Sequence, residues 1–276
     1  MESKTLLYEV ADGVGLITLN RPERSNAWTG RMAFEYRTAM HEADQDERVG
    51  AIVVTGAGRH FCVGADNKAL DGFAQSGKYD SGIRETPPDP GDPAHPAYGT
   101  AFGFPLAVGK PVIAAVNGAA AGVGFIAACF TDIRFGAADA KWTPATSKLG
   151  LPAEYAISWI LPRLIGYGRA VEWMLSSRPV LSEEAKAMGL VHAVHPAEQV
   201  LEAALNYARE LLDSVAPSSL RSVKRQASAD LFRTISESND EAVRLMHEMI
   251  GSEDYRQGVQ ALTEKRAPGF AARYRA

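Results

Sequence analysis

The sequence predicts an α/β protein, with a β/α core in its N-terminal part and a helical region in its C-terminal part. Three observations carry this. Short apolar, β-branched runs recur at 6–10, 13–20, 51–55, 112–116 and 133–135, closed by turn residues. Segments with apolar residues at helical spacing lie among them. From Glu154 onward the pattern is mostly helical.

The runs 6–10 and 13–20 are separated by Asp12-Gly13, a tight hairpin signal. After Arg21-Pro22 the chain turns; Thr29 suits an N-cap, and Met32, Tyr36, Ala39, Met40 and Ala43 share one helical face. AIVVT (51–55) reads as a buried strand ended by Gly56-Ala57-Gly58. The stretch 81–105 holds six prolines among glycines and aspartates, which excludes regular structure. A loop of that length inside a compact domain is a lid, a binding loop or a locally mobile segment. The uncharged run 111–131 approaches the length of a bilayer span. More than half of 112–130 is Ala or Gly, however, and Asn117-Gly118 places a turn in its middle. It reads as a strand at 112–116, a turn, a buried helix at 122–130 and a further strand at 133–135. Ser182-Glu183-Glu184 opens a helix that stops at Gly189, with a brief strand at 190–194. Amphipathic helices follow at 196–213, 217–230, 235–250 and 252–265. No fixed-period repeat of the solenoid kind is present. The expected division is a core over 1–195 and a helical subdomain over 196–276.

Composition narrows the function. Apolar residues make up 46% and charged residues 22%, which excludes wholesale disorder. A net charge of −4 gives no global field toward nucleic acid or an anionic membrane, so neither is an expected partner. The two cysteines, Cys62 and Cys129, sit in apolar runs without a partner at metal-ligand spacing; this excludes a disulfide scaffold or zinc ribbon and fits a reducing, cytoplasmic compartment. His192 and His195 likewise have no acidic or cysteine partners at ligand spacing, so no metal site is expected. The opening MESKTLLYEV lacks the basic and apolar regions of a signal peptide.

Two glycine-containing turns follow buried strands: GAGRHFCVGAD (56–66) and NGAAAGVGF (117–125). Glycine lets the backbone turn sharply and lets a ligand approach the amides. Helices starting at Asp66 and near Gly122 would present unpaired N–H groups, and two such turns converging would hold a developing oxyanion. A dinucleotide site would need a third glycine where Phe61 stands, and the lysine of a phosphate-binding P-loop is absent.

In these segments the chain resembles the crotonase superfamily, the enoyl-CoA hydratase/isomerase family, over essentially its whole length. The matching pieces are RPERSNA (21–27), AIVVTGAGRHFCVGAD (51–66), KPVIAAVNGAAAGVGF (110–125) and TDIRFGAADAKW (131–142), then LPRLIG (161–166), LSEEAKAMGLVHAVHP (181–196) and ALTEKRAPGF (261–270). The resemblance implies a crotonase-like ββα spiral core, a C-terminal helical subdomain used in trimerisation, and an acyl-CoA thioester as substrate. The family's oxyanion amides match Ala65 and Val123, the latter commonly glycine. Arg24, Ser25 and Ala27, with Val63, Gly64, Asp66 and Gly122, match segments around the CoA and acyl site. Lys265 matches a basic residue that reaches CoA phosphate, often across a subunit boundary. No cofactor is implied, since coenzyme A arrives as part of the substrate, and the implied assembly is a homotrimer or dimer of trimers.

The acid–base positions depart from the two-glutamate hydratase pattern: Ile126 and Thr146 stand where the resemblance places those glutamates. Glu154, in GLPAEYAISWILPRLIG (150–166), matches the catalytic acid of several enoyl-CoA isomerases. It is expected at a helix N-terminus with apolar neighbours that would raise its pKa. Three functions stay open: double-bond migration through Glu154, hydration using Glu154 alone, and acyl-CoA binding without turnover.

Overall fold

The computed structural model describes residues 3–274, and its first two predicted runs pair as an antiparallel hairpin, β1 (Leu6–Ala11) and β2 (Val14–Leu19). Asp12 and Gly13 both take positive φ, as a tight hairpin turn requires. Met1 and Glu2, where the signal-peptide reading begins, lie outside the described residues.

Thr29 caps α1 (Gly30–Gln45), its side chain accepting from the Met32 N–H at 3.1 Å. The five expected residues of that face are buried, and so is Glu35. Glu35 accepts from Ser3, Thr5, the Lys4 N–H and Arg31. Burial pushes the carboxyl up and these donors outweigh it, leaving it at about 2. The acid thus ties the start of the described chain to α1.

β3 (Ala51–Gly56) and β4 (Val112–Val116) are buried at every position, which explains their unbroken apolar sequence. Between them lie α2 (Asn67–Ser76) and the proline-rich stretch, which contains no strand or α-helix. The run that approached bilayer length divides as its turn signal implied, into β4, β5 (Ala120–Ala121) and α3 (Val123–Cys129). Among the described residues no helix is long and apolar enough to cross a membrane. β6 (Ile133–Ala137), β7 (Lys141–Thr143), α4 (Ile157–Ile165), α5 (Tyr167–Ser176), β8 (Val180–Leu181), α6 (Ser182–Ala187) and β9 (Ala193–His195) follow.

Two sheets result. The larger has the order β1-β2-β3-β4-β6-β9, parallel except at the first pair; the smaller has the order β5-β7-β8. Parallel bridges Cys62↔Ala120 and Trp28↔Ala65 extend the small ladder, so the chain segments leaving β3 and β4 become neighbours a second time. That second ladder positions the site.

α7 (Val200–Ser214) lies across the large sheet, with Val200, Ala204, Ala208 and Leu212 in the core. α8 (Pro217–Ala229), α9 (Ile235–Ile250) and α10 (Glu253–Glu264) follow. No residue of α9 is buried, and Ile235, Val243, Met246 and Ile250 are exposed. Leu245 and Met249, one turn apart, are half-buried.

Candidate active site

The two glycine turns meet. Cys62 N–H donates to Ala119 O at 3.0 Å, and Ala121 N–H donates to Cys62 O at 2.9 Å. On the other side Trp28 N–H donates to Gly64 O at 2.7 Å, and Asp66 N–H donates to Trp28 O at 2.9 Å. The groups flanking Ala65 are therefore spent on Trp28, and strand alternation turns Ala65's own N–H to the opposite side. That side carries the 119–123 segment: a Cβ on Gly122 would lie 3.6 Å from Gly64 Cα. Gly122 holds φ 51° and ψ −122° as N-cap of α3, a conformation open to glycine, and delivers Val123 as the first helical residue. The Ala65 N–H finds no acceptor among the described residues, and the Val123 N–H has none within its helix. Ala65 is half-buried and Val123 buried.

Close packing locks the pair. A Cβ on Gly124 would stand 2.3 Å from Cys62 O, so α3 rests directly on the first turn. Asn117 joins the turns through its side chain, accepting from Gly56 N–H at 3.2 Å and donating to Gly58 O at 2.9 Å. Buried Asn26 does the same for the 21–28 loop, donating to Ala57 O and His60 O and accepting from Arg21 N–H. His60 is half-buried and accepts from Ala119 N–H at 3.4 Å; burial and Arg59 hold its pKa down. These asparagine links were not legible beforehand. The turn signal at Asn117-Gly118 was visible, but side-chain partners thirty or more residues away were not.

The other matched positions fall into two groups. Ser25, Ala27, Val63, Gly64 and Asp66 lie together, with Val63 N–H donating to Ser25 O at 3.3 Å. Arg24 is exposed at the end of a short 3-10 turn beside them. Asp66 serves the fold: Oδ1 accepts from Lys68 N–H as the α2 cap, and Oδ2 accepts from Arg21 Nη2 at 3.0 Å. Burial pushes that carboxyl up, and Arg21 and the cap amide bring it below the usual range. Lys265 stands apart, exposed, with φ 53° as the C-cap of α10. No hydrogen bond or ion pair links it to either turn among the described residues.

Glu154 occupies a place the sequence only approximated. It was expected at the start of a helix, yet Tyr155 (φ 49°) and Ala156 (φ 60°) form a left-handed turn before α4, whose first turn holds no acid. A favourable interaction with the helix dipole therefore does not account for it. The residue is half-buried, and burial pushes its carboxyl above the ordinary value. Among the described residues no hydrogen bond or ion pair engages the carboxylate.

A row of rings joins this acid to the first turn. Trp28, which brackets Ala65, lies 5.3 Å from Phe102, and Phe102 lies 4.8 Å from Tyr155, the residue after Glu154. Phe102 comes from the proline-rich stretch, which α1 pins: Arg37 bonds Asp89 and donates to Thr100 O at 2.9 Å, while Asp44 accepts from Gly91 N–H. Arg37 also lies over the Phe104 ring at 4.9 Å. Ile126 is fully buried and Thr146 is buried with a hydroxyl, so neither supplies an acid. Among the described residues no three His, Cys, Asp or Glu side chains gather as a metal site.

Two ladders through which a pair of glycine turns meet mark the crotonase class of fold, and comparison with known proteins agrees. The model of the family described as enoyl-CoA hydratase/isomerase matches residues 9–89 and 94–273. A Rhodobacter capsulatus protein described as "Probable enoyl-CoA hydratase" is 34% identical over 273 residues, covering 99% of this chain and 100% of that protein. The 1,2-epoxyphenylacetyl-CoA isomerase of Escherichia coli (strain K12) is 32% identical, covering 97% of this chain and 98% of that protein. The crystal structure of the enoyl-CoA hydratase from Bacillus anthracis superposes with a TM-score of 0.82 at 26% identity, covering 97% of this chain and 99% of that one. The chain belongs to the enoyl-CoA hydratase/isomerase family of the crotonase superfamily.

Proposed function

We propose that the protein moves a double bond of an enoyl-CoA thioester, with Glu154 as its single proton carrier and the Ala65 and Val123 amides holding the thioester oxygen. The observation that carries this reading is Glu154 itself, half-buried, without a side-chain partner among the described residues, and joined to the Ala65 turn by the row of rings. A carboxylate destabilised by burial is the stronger base. Of the two relatives above, one is named a hydratase and the other an isomerase. Ile126 and Thr146, where the two hydratase glutamates would stand, favour isomerisation.

In the forward step Glu154 takes a proton from C2 of a 3-enoyl thioester. The electron pair moves into the thioester, whose oxygen gains charge against the two N–H donors. The same carboxyl returns the proton to C4, leaving the double bond between C2 and C3. No electron is gained or lost and no water is consumed, so the step needs no cofactor. Arg24 and the 25–27 and 63–66 segments take the CoA portion, and Lys265 reaches its phosphates from a neighbouring subunit of a trimer or dimer of trimers. Exposed Ile235, Met246 and Leu262 suit such an assembly. At micromolar concentration the protein is expected to sediment as a trimer or hexamer; a monomer would remove the cross-subunit role of Lys265. Free, buried Cys62 and Cys129 support a cytoplasmic placement.

The deciding experiment is a panel of 2-enoyl-, 3-enoyl- and dienoyl-CoA esters, with isomer and hydrate assayed separately in deuterated water. Isomer with deuterium at C2 or C4 is expected. Hydrate as the main product would move the reading to water addition by Glu154 alone. Binding without turnover or exchange would make the protein an acyl-CoA-binding module.

A further inference from the structure

We propose that the acyl group this site selects carries an aromatic ring, so that the substrate is an aryl-acyl-CoA and not a linear fatty acyl-CoA. The inference rests on the acyl-CoA reading above and gives it a substrate class.

A cavity of about 380 Å³ is lined by Tyr155 and Ala156, the two residues that follow Glu154 in the chain. Five rings contribute to its wall: Phe102, Phe130, Tyr155, Trp159 and Phe232. They come from five separate stretches, namely the proline-rich segment, the end of α3, the left-handed turn, α4 and the short turn after α8. No charged side chain lines the space. A dry cavity of about 150 Å³ suffices for benzene, so this one has room for a ring together with the atoms linking it to a thioester.

The wall is already arranged as rings prefer. Phe102 and Tyr155 meet edge to face, 4.8 Å apart at 62°. Trp159 and Phe232 stack, 4.9 Å apart at 17°. These are the two geometries that aromatic pairs favour, and an entering ring can extend either. Trp159 is held by the Arg163 guanidinium, 4.0 Å from its ring centroid. Phe102 is held through the neighbouring Thr100 carbonyl by Arg37. Consecutive left-handed turn residues without glycine fix Tyr155. Methionine, the side chain that lets a pocket adapt to flexible chains, is absent from the lining.

The test is calorimetric, using phenylacetyl-CoA and octanoyl-CoA, which have equal acyl carbon numbers and no double bond to move. Ring–ring contact beyond buried area is worth roughly 2- to 10-fold in Kd, so phenylacetyl-CoA is expected to bind tighter by that factor. In Trp159→Leu and Phe232→Leu the ratio of the two affinities should shrink toward unity. Phe232 is 45% exposed, so its replacement leaves the core intact if Trp159→Leu fails to fold. Octanoyl-CoA binding as tightly as phenylacetyl-CoA, or a preference that survives both substitutions, would overturn the inference and leave the acyl-CoA reading standing. Binding of neither ester would remove both.

Discussion

At the Ala65–Val123 end of the candidate site the proposed working groups are main-chain amides, while at the Glu154 end they are side chains on irregular backbone. The first end is held by ladder hydrogen bonds at Cys62, Gly64, Asp66 and Ala121 and by glycines against which nothing else fits. The second depends on one carboxyl, a left-handed turn and rings from segments far apart in sequence. An amide is chemically the same under any residue except proline, so the first end tolerates Val123 where its family commonly has glycine. The second end changes with every substitution. In the proposed reading, stabilising charge on a thioester oxygen is built into the fold, while the proton and the acyl group are handled by replaceable side chains.

Removing the proposed proton carrier should have the largest effect. Glu154→Gln keeps shape and hydrogen-bonding capacity but accepts no proton, so kcat is expected to fall roughly 10²–10⁴-fold with little change in acyl-CoA affinity. Deuterium exchange should vanish with it. The wild-type pH profile sharpens the same point: burial raises the Glu154 pKa, so kcat/KM should be lost as pH falls through a value above the ordinary ~4.3 of a glutamate. A stopped-flow profile without that limb would place the base elsewhere. Thr146→Ala, which alters no titrating group, should change kcat far less.

Breaking the main-chain end requires a steric change. Gly124→Ala drives a methyl to 2.3 Å from Cys62 O, where neither backbone can yield cheaply. Such overpacking costs about 1–3 kcal/mol, a fall in Tm of several degrees for a chain of this size, with kcat lowered because Val123 moves. An unchanged Tm by calorimetry would show that α3 is not locked on Cys62.

The CoA contacts should be next in size. If Arg24 and Lys265 meet phosphates, an acyl-CoA should bind roughly 10-fold or more tightly than the matching acyl-pantetheine, and Arg24→Ala should narrow the gap. Equal affinities by calorimetry would withdraw both residues.

The smallest effect is expected at the wall. Arg37→Ala frees the Asp89 and Thr100 anchors of the proline-rich stretch, which should raise KM a few-fold and leave kcat nearly unchanged. Arg37→Lys should restore little, because an ammonium cannot reproduce the guanidinium fork. A kcat loss larger than the KM rise would place Arg37 nearer the chemistry than the wall.

Local patterning determined much of this protein. The Asp12-Gly13 hairpin, the Thr29 cap, the buried faces of α1 and the division of 111–131 into strand, turn and helix all depend on neighbours within a few residues. Gly64, Gly122 and the family pattern around them marked the two turns for the same reason. Tertiary structure alone decided the rest. Glu35 is buried because the start of the chain folds back onto α1, and Asp66 is spent on Arg21 and a cap amide. Glu154 leaves the helix that its sequence context suggested because Tyr155 and Ala156 turn left-handed. Phe102 and Tyr155 are distant in the chain, with α3 and four strands between them, yet their rings are in contact. A backbone turn is specified by residues beside it in sequence, whereas a side chain's environment is specified by whatever the fold packs against it.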